Sequence, residues 1–427
     1  MVESGLLERR ERALGPAYRL FYQNPVHIVR GEGVYLFGAD GRRYLDCYNN
    51  VAAVGHCHPR VVSAISEQAA KLATHTRYLH ENVVRYAERL AETFPGELGV
   101  CMFANSGSEA NELAFRMARA VTGNEGAVVM ECAYHGTSNA TFAFSTEDHT
   151  HDDRPPWIAT VPAPDLYRNQ LGCARTHFSG AYGALIGGAA GELAQRGYAA
   201  ALYIADGIYS TSGILTPPAD YLQEAYRQIR AAGGLAVADE VQSGLCRLGD
   251  NWWAFQDSAV VPDIVTAGKP LGNGYPLAAV VTTPEIAAEF SKKYHYFNTF
   301  GGNPVAAAAG LAVLDVIEDE KLKRNVRETG QYLARGLQTL RREHEVIGDA
   351  RGKGLFFGLE LVRDRQGKEP AEDTALTIRE RLRDNGVLLG VTGPHGNVIK
   401  IRPPMAFTRD HVDHLVNALD EALRCLA

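Results

Sequence analysis

The sequence predicts an α/β protein in which a mostly parallel sheet, covered by helices, forms a large domain in the middle of the chain, while the two chain ends form a smaller α+β lobe. Three observations carry that expectation. Short β-rich runs alternate with helical patterns through the middle of the chain, as expected where helical crossovers join parallel strands. No internal repeat or low-complexity tract breaks the alternation. A chain of 427 residues also exceeds what one small core organises, so two lobes are expected. The divisions fall near residues 1–65 for the N-terminal part of the small domain, 66–310 for the large domain and 311–427 for the C-terminal part of the small domain.

In chain order, residues 26–48 hold short β-like segments separated by the turn signals Gly31-Glu32-Gly33 and Asp40-Gly41, which suit a small antiparallel element. The strands expected of the large sheet are 100–103, 127–130, 201–204, 235–238, 264–266 and 278–281. Most end beside a polar residue or a glycine, and ligands gather outside the carboxyl ends of such strands. A long helical stretch starts at Pro304, and the tail offers strands at 345–347, stopped by Gly348-Asp349, at 354–361 and at 398–401. Val412, Leu415, Val416, Leu419 and Leu423 recur on one stripe, so the last helix packs on a core.

Hydrophobic residues make up 46% of the chain and the net charge is -7, so a nucleic-acid partner, which requires a basic excess, is not expected. The seven cysteines are odd in number, scattered and mostly in apolar surroundings, which suits reduced, buried thiols in a cytoplasmic protein. The first twelve residues are polar, and no stretch reaches the length of a membrane span, so neither secretion nor a membrane anchor is expected.

Four strand exits carry chemistry. Asn105-Ser106-Gly107-Ser108-Glu109-Ala110-Asn111 follows a strand and opens a helix, so glycine, serine hydroxyls and free backbone N–H groups converge where a helix dipole favours an anion. A plain serine cap would look the same. Ala133-Tyr134-His135-Gly136 sets an aromatic ring at a strand exit, where it can stack on a flat heteroaromatic group or simply pack. Asp239 ends the apolar run 235–238, and a carboxylate there needs a partner such as a ring nitrogen or Arg247. With a ring nitrogen as that partner, Val241 presses on the ring's face and Gln242 reaches its phenolic oxygen. Lys269 follows the run 264–267 inside Gly268-Lys269-Pro270-Leu271-Gly272-Asn273-Gly274. A lysine for a Schiff base and a carboxylate that keeps a ring nitrogen protonated are what pyridoxal phosphate (PLP) requires. Lys353, also between glycines, lacks these companions, and Gly352-x-Gly354-x-x-x-Gly358 has the wrong spacing for a dinucleotide loop. His56-Cys57-His58 and His149-Thr150-His151-Asp152-Asp153 lack a second ligand set at zinc spacing, so no metal is expected.

With Phe297-Asn298-Thr299-Phe300-Gly301-Gly302-Asn303-Pro304 added, these motifs resemble the class III aminotransferases of PLP fold type I over nearly the whole chain. The resemblance implies a seven-stranded sheet, Lys269 as the Schiff-base lysine, Asp239 as the ring-nitrogen partner, Gln242 at the phenolic oxygen and Tyr134 as the stacking ring. His135 joins Tyr134 in its cofactor-binding motif, and Ser106, Gly107 and Ser108 lie at the phosphate. Thr299 reaches the phosphate from a neighbouring subunit, which implies homodimers with shared sites and leaves tetramers open.

Two activities follow within the family. Where the aminotransferases carry Glu-Pro, this chain has Ala205-Asp206-Gly207, and residues 50–59, 76–82 and 401–405 are similar to the ethanolamine-phosphate phospho-lyases. Arg77 suits a dianion beside the cofactor, and Arg402, the carboxylate clamp of the aminotransferases, can join the same pocket, with Tyr18, Asn50 and His80 as further substrate candidates. The expected reaction is elimination of phosphate from a small phosphorylated amine such as phosphoethanolamine. Transfer of an amino group to pyruvate, glyoxylate or 2-oxoglutarate is the alternative, and a third is a PLP-fold protein that binds without turnover.

Overall fold

Alanine- and valine-rich runs make the strands of the central sheet, and their side chains divide cleanly between its two faces. Ala127 and Val129 pack with the helix Gly107–Thr122, whereas Val128 and Met130 pack with the helix Phe178–Gln195, as the period-two alternation of a strand requires. Both faces are covered, so the strands read as nearly continuous apolar runs. The computed structural model describes residues 4–147 and 154–426.

The sheet has seven strands, in the order Val100–Ala104, Ala278–Thr282, Ile264–Ala267, Leu235–Asp239, Ala200–Asp206, Gly126–Met130 and Ile158–Val161. Ala278–Thr282 runs antiparallel to both neighbours, and the other pairings are parallel. Six strands match the sequence expectation to within two residues at either end. Ile158–Val161, the seventh, is a four-residue edge strand too short to show a period of its own.

A second sheet joins Ile28–Glu32, Tyr35–Gly38 and Arg43–Asp46 to Val387–Leu388, so the two ends of the chain share one sheet. The third contains Ile347–Lys353, Phe356–Leu361, Val398–Ile401 and Gly390–Thr392, all antiparallel. Its first strand corrects an expectation: Gly348-Asp349 does not end a strand at 345–347 but lies inside one that begins at Ile347. Pairing with Phe356–Leu361 absorbs the glycine through a register shift between Ile347 and Asp349. Lys353, near the turn of that hairpin, pairs with Asp250 and Asp257 at 2.8 Å each.

The final helix, Arg409–Arg424, buries Val412, Leu415, Leu419 and Leu423 as its stripe predicts. All seven cysteines are unpaired; Cys47 and Cys246 are buried, but Cys57 and Cys425 are exposed, against the expectation of mostly buried thiols. Among the described residues, no helix is long and apolar enough to cross a membrane.

Candidate active site

The carboxyl ends of the central strands open onto a cavity of about 350 Å³. Every residue named above for the cofactor lines it except Thr299: Ser106, Gly107, Ser108, Tyr134, His135, Asp239, Val241, Gln242 and Lys269.

Local geometry explains why each group is there. Ser106 caps the helix Gly107–Thr122 by accepting from the Glu109 N–H, so the cap reading is correct, and the capped end still faces the cavity. A Cβ on Gly107 would lie 3.0 Å from both Val241 methyls, so the helix start and the strand exit meet only through a glycine. Gly136 adopts φ +137°, and a Cβ there would come within 2.4 Å of Ser108 Oγ. The Ser108 hydroxyl accepts from the Thr137 N–H at 3.1 Å, which ties this turn to the helix start.

Asp239 is buried, and its partners are Val241, Asn111 and His135 rather than Arg247. The Val241 N–H donates to Oδ1 at 3.0 Å, and Asn111 Nδ2 and His135 Nδ1 donate to Oδ2 at 2.8 and 2.7 Å. Donation to a carboxylate places the His135 proton on Nδ1, and Nε2 meets no protein partner among the described residues. Arg247 turns elsewhere and donates to the Pro403 carbonyl.

Lys269 opens the short 3₁₀ turn Lys269–Gly272 directly after the strand Ile264–Ala267. Burial, together with the positive charge of Arg402, lowers its pKa below the ordinary lysine value, partly opposed by Asp239 and Asp206. The neutral amine needed for a nucleophile or base is thereby made more accessible.

A second group of side chains lies beside this one, on Gln242. Its Oε1 accepts from Arg402 Nη1 and, at 3.3 Å, from Lys400 Nζ, while its Nε2 donates to Ser210 Oγ at 2.6 Å. Asn50 Nδ2 donates to the Gln242 carbonyl at 3.3 Å, and the Arg402 Nε donates to the Tyr48 carbonyl at 3.2 Å. Lys400 and Arg402 are both buried. Burial lowers the pKa of each; the positive charge of Arg402 lowers Lys400 further, and Asp206 opposes both shifts. Asp206 lines the cavity, in register with Asp239 on the neighbouring strand, and its oxygens accept from the Ile208 and Ser210 N–H groups.

Sequence reasoning missed Asn111, Ser210 and Lys400 as functional candidates. For Lys400 a signal existed: in Val398-Ile399-Lys400-Ile401-Arg402 a period of two sets both cations on one face. Ser210 carries no such signal, because only the folded loop brings it to Gln242.

The remaining substrate candidates lie apart from the cavity within one chain. Arg77 is exposed, with its guanidinium 3.9 Å from the Phe297 ring centroid, two residues before the exposed Thr299. Tyr18 is 64% exposed. His80 caps the helix Glu81–Ala91 by accepting from the Asn82 N–H at 3.2 Å. Of the two histidine clusters, His56 pairs with Asp46 at 2.7 Å and His58 with Glu320 at 2.9 Å, and residues 149–153 lie outside the described residues.

The donor set fits PLP on three counts. The glycine-lined helix start offers N–H donors to a phosphate, three hydrogen bonds fix the buried Asp239 carboxyl where a ring nitrogen can meet it, and a lysine of lowered pKa shares the same cavity. The chain belongs to the aminotransferase class-III family, whose model matches residues 20–423. It is 42% identical to the alanine–glyoxylate aminotransferase 2-like protein of Drosophila melanogaster, over 98% of this chain and 86% of that one. Among solved structures, it superposes with a TM-score of 0.95 on a phospholyase from Arthrobacter in complex with phosphoethanolamine, at 40% identity and covering 99% of this chain and 100% of that one. A PLP-bound amine transaminase from an uncultivated Pseudomonas species follows at a TM-score of 0.86 and 30% identity, covering 95% and 96% of the two chains. These findings bear out the family, and the fold matches PLP fold type I.

Proposed function

We propose that this class III protein is a PLP-dependent phospho-lyase that eliminates phosphate from a small phosphorylated amino alcohol such as phosphoethanolamine. The observation that carries the proposal is the pair of buried cations at Gln242. Among the described residues, Lys400 has one hydrogen-bond acceptor, the neutral Gln242 Oε1 at 3.3 Å, and Arg402 shares that oxygen. Burying two cations with no carboxylate among their hydrogen-bond partners is costly, and a phosphate dianion would supply that counter-charge. The Arthrobacter phospholyase in complex with phosphoethanolamine supports the same substrate class.

Lys269 binds the cofactor, and its lowered pKa suits it to take a proton from the substrate carbon next to nitrogen. When bound, the cofactor supplies an electron sink for that carbon. Asp239, fixed by its three donors, would pair with the ring nitrogen, Tyr134 and Val241 would hold the ring, and Gly107 and Ser108 would hold its phosphate. Lys400 and Arg402 take up the charge of the departing phosphate. Phosphoethanolamine and water then give acetaldehyde, ammonia and inorganic phosphate, with no keto acid consumed.

Arg77 stacks on Phe297, two residues before Thr299, and their chain neighbours Leu79 and Phe300 are 99% and 70% exposed. An apolar patch of this kind is suited to a partner surface. We read both residues as part of the site of a second copy of the chain, in a homodimer with shared sites.

Transamination is the second reading, favoured by the 42% identity to the Drosophila aminotransferase-like protein and by Arg402 as a carboxylate clamp. Incubating the purified holoenzyme with phosphoethanolamine and no keto acid separates the two. Release of inorganic phosphate supports the lyase; turnover that requires an amino donor plus a keto acid overturns it.

A further inference from the structure

Gln242 joins the two groups of side chains, and its amide has one orientation compatible with its neighbours. Lys400 and Arg402 are donors only, so the amide atom they share is the oxygen. Nε2 therefore faces Ser210, whose hydroxyl accepts at 2.6 Å. One N–H of Nε2 is used there, and the second remains available.

Ser210 is fully buried and held on both sides of its side chain. Its N–H donates to Asp206 Oδ2 at 2.9 Å, and its carbonyl accepts from Thr392 Oγ1 at 3.0 Å. Further along the same loop, Arg351 donates to the Gly213 carbonyl at 2.7 Å and the Ile214 carbonyl at 3.0 Å. Thr392 and Arg351 belong to the third sheet, so the loop that carries Ser210 is fastened at both ends. The hydroxyl is a fixed acceptor.

We infer that Ser210 is a positioning residue: its hydroxyl locks the Gln242 amide so that Oε1 holds Lys400 and Arg402 while the second N–H of Nε2 is presented to the phenolic oxygen of the cofactor. This rests on the reading of Gln242 as the phenolic-oxygen contact. A hydrogen bond to that oxygen draws charge from it and weakens its hold on the neighbouring proton of the lysine linkage. Loosening the amide therefore raises the pH at which that proton leaves.

The test is a pH titration of cofactor absorbance in substrate-free holoenzyme, with thermal melting in parallel, for the wild type, Ser210→Ala and Ser210→Thr. Ser210→Ala should move the midpoint upward by on the order of one pH unit, the size of one charge-assisted hydrogen bond. Ser210→Thr keeps the hydroxyl, so it should retain the wild-type midpoint even if its buried methyl lowers the Tm. An unmoved midpoint in Ser210→Ala, or an equal shift in Ser210→Thr, overturns the inference and leaves Ser210 as loop packing. The titration needs no turnover, so a failed phosphate-release assay would remove the lyase reading without touching this one.

Discussion

On the Asp239 side of the pocket, one buried carboxylate is held by three protein donors, a histidine among them. On the Lys400 side, two buried cations share one amide oxygen and, among the described residues, have no carboxylate as a hydrogen-bond partner. The contrast teaches which part is permanent and which part waits for the substrate. A group that must keep one charge state throughout turnover is surrounded by fixed dipoles. On the proposed phospho-lyase reading, the cations that meet a dianion are left without a carboxylate partner, so that the ligand itself would relieve the cost of burial.

Removing Lys269 should break both sides at once. Lys269→Ala is expected to lower phosphate release by on the order of 10³-fold or more, because one nitrogen anchors the cofactor and moves the proton; stopped phosphate assays check it. Lys400→Met should separate the sides. Turnover of phosphorylated amines falls roughly 10²-fold, activity on unphosphorylated amines is spared, and the Tm rises by the equivalent of about 1–2 kcal/mol as an unpaired buried cation is removed. Equal losses on both substrate types would refute the division. Arg77→Ala should cost about tenfold on phosphorylated amines alone. Mixing it with inactive Lys269→Ala chains tests whether the arginine serves a neighbouring copy, since hybrid dimers would then recover activity at one site.

The smallest effect belongs to Glu240, which lies next to Asp239 in the chain. Burial pushes its carboxyl up to about 7 from an ordinary 4.5, against the hydrogen bonds it accepts from the Ala254 and Phe255 N–H groups and from Ser243. A raised acid binds its proton more tightly in the folded state, so its contribution is fully present below about 4.5 and is lost as pH rises through about 7. Glu240→Gln should therefore melt with less pH dependence than the wild type across that window. Parallel Tm curves would argue that the carboxyl is not titrating there.

The same contrast explains what could be read from the sequence. The Asp239 side was legible because its parts are strand exits: Gly107, Tyr134, Asp239 and Lys269 each follow an apolar run within a few residues, and a parallel sheet brings such exits together. The Gln242 side is assembled from residues 50, 210, 242, 400 and 402, whose meeting depends on how three sheets pack. Arg402 and Asn50 were reached only through family resemblance, and Ser210 not at all. The edge strand Ile158–Val161 and the strand Ile347–Lys353 were misjudged for a related reason: pairing with a neighbour, absent from local sequence, set their extent.

The antiparallel strand Ala278–Thr282 has one more effect. It pairs with Ile264–Ala267 directly, so the segment carrying Lys269 is a short return between adjacent strands, pinned at both feet. In the proposed cofactor-binding role, an amine on so short a tether would remain close by when its bond is exchanged. It would stand at a very high effective molarity beside the reacting carbon, so that restoring the resting linkage after each cycle would be an intramolecular step.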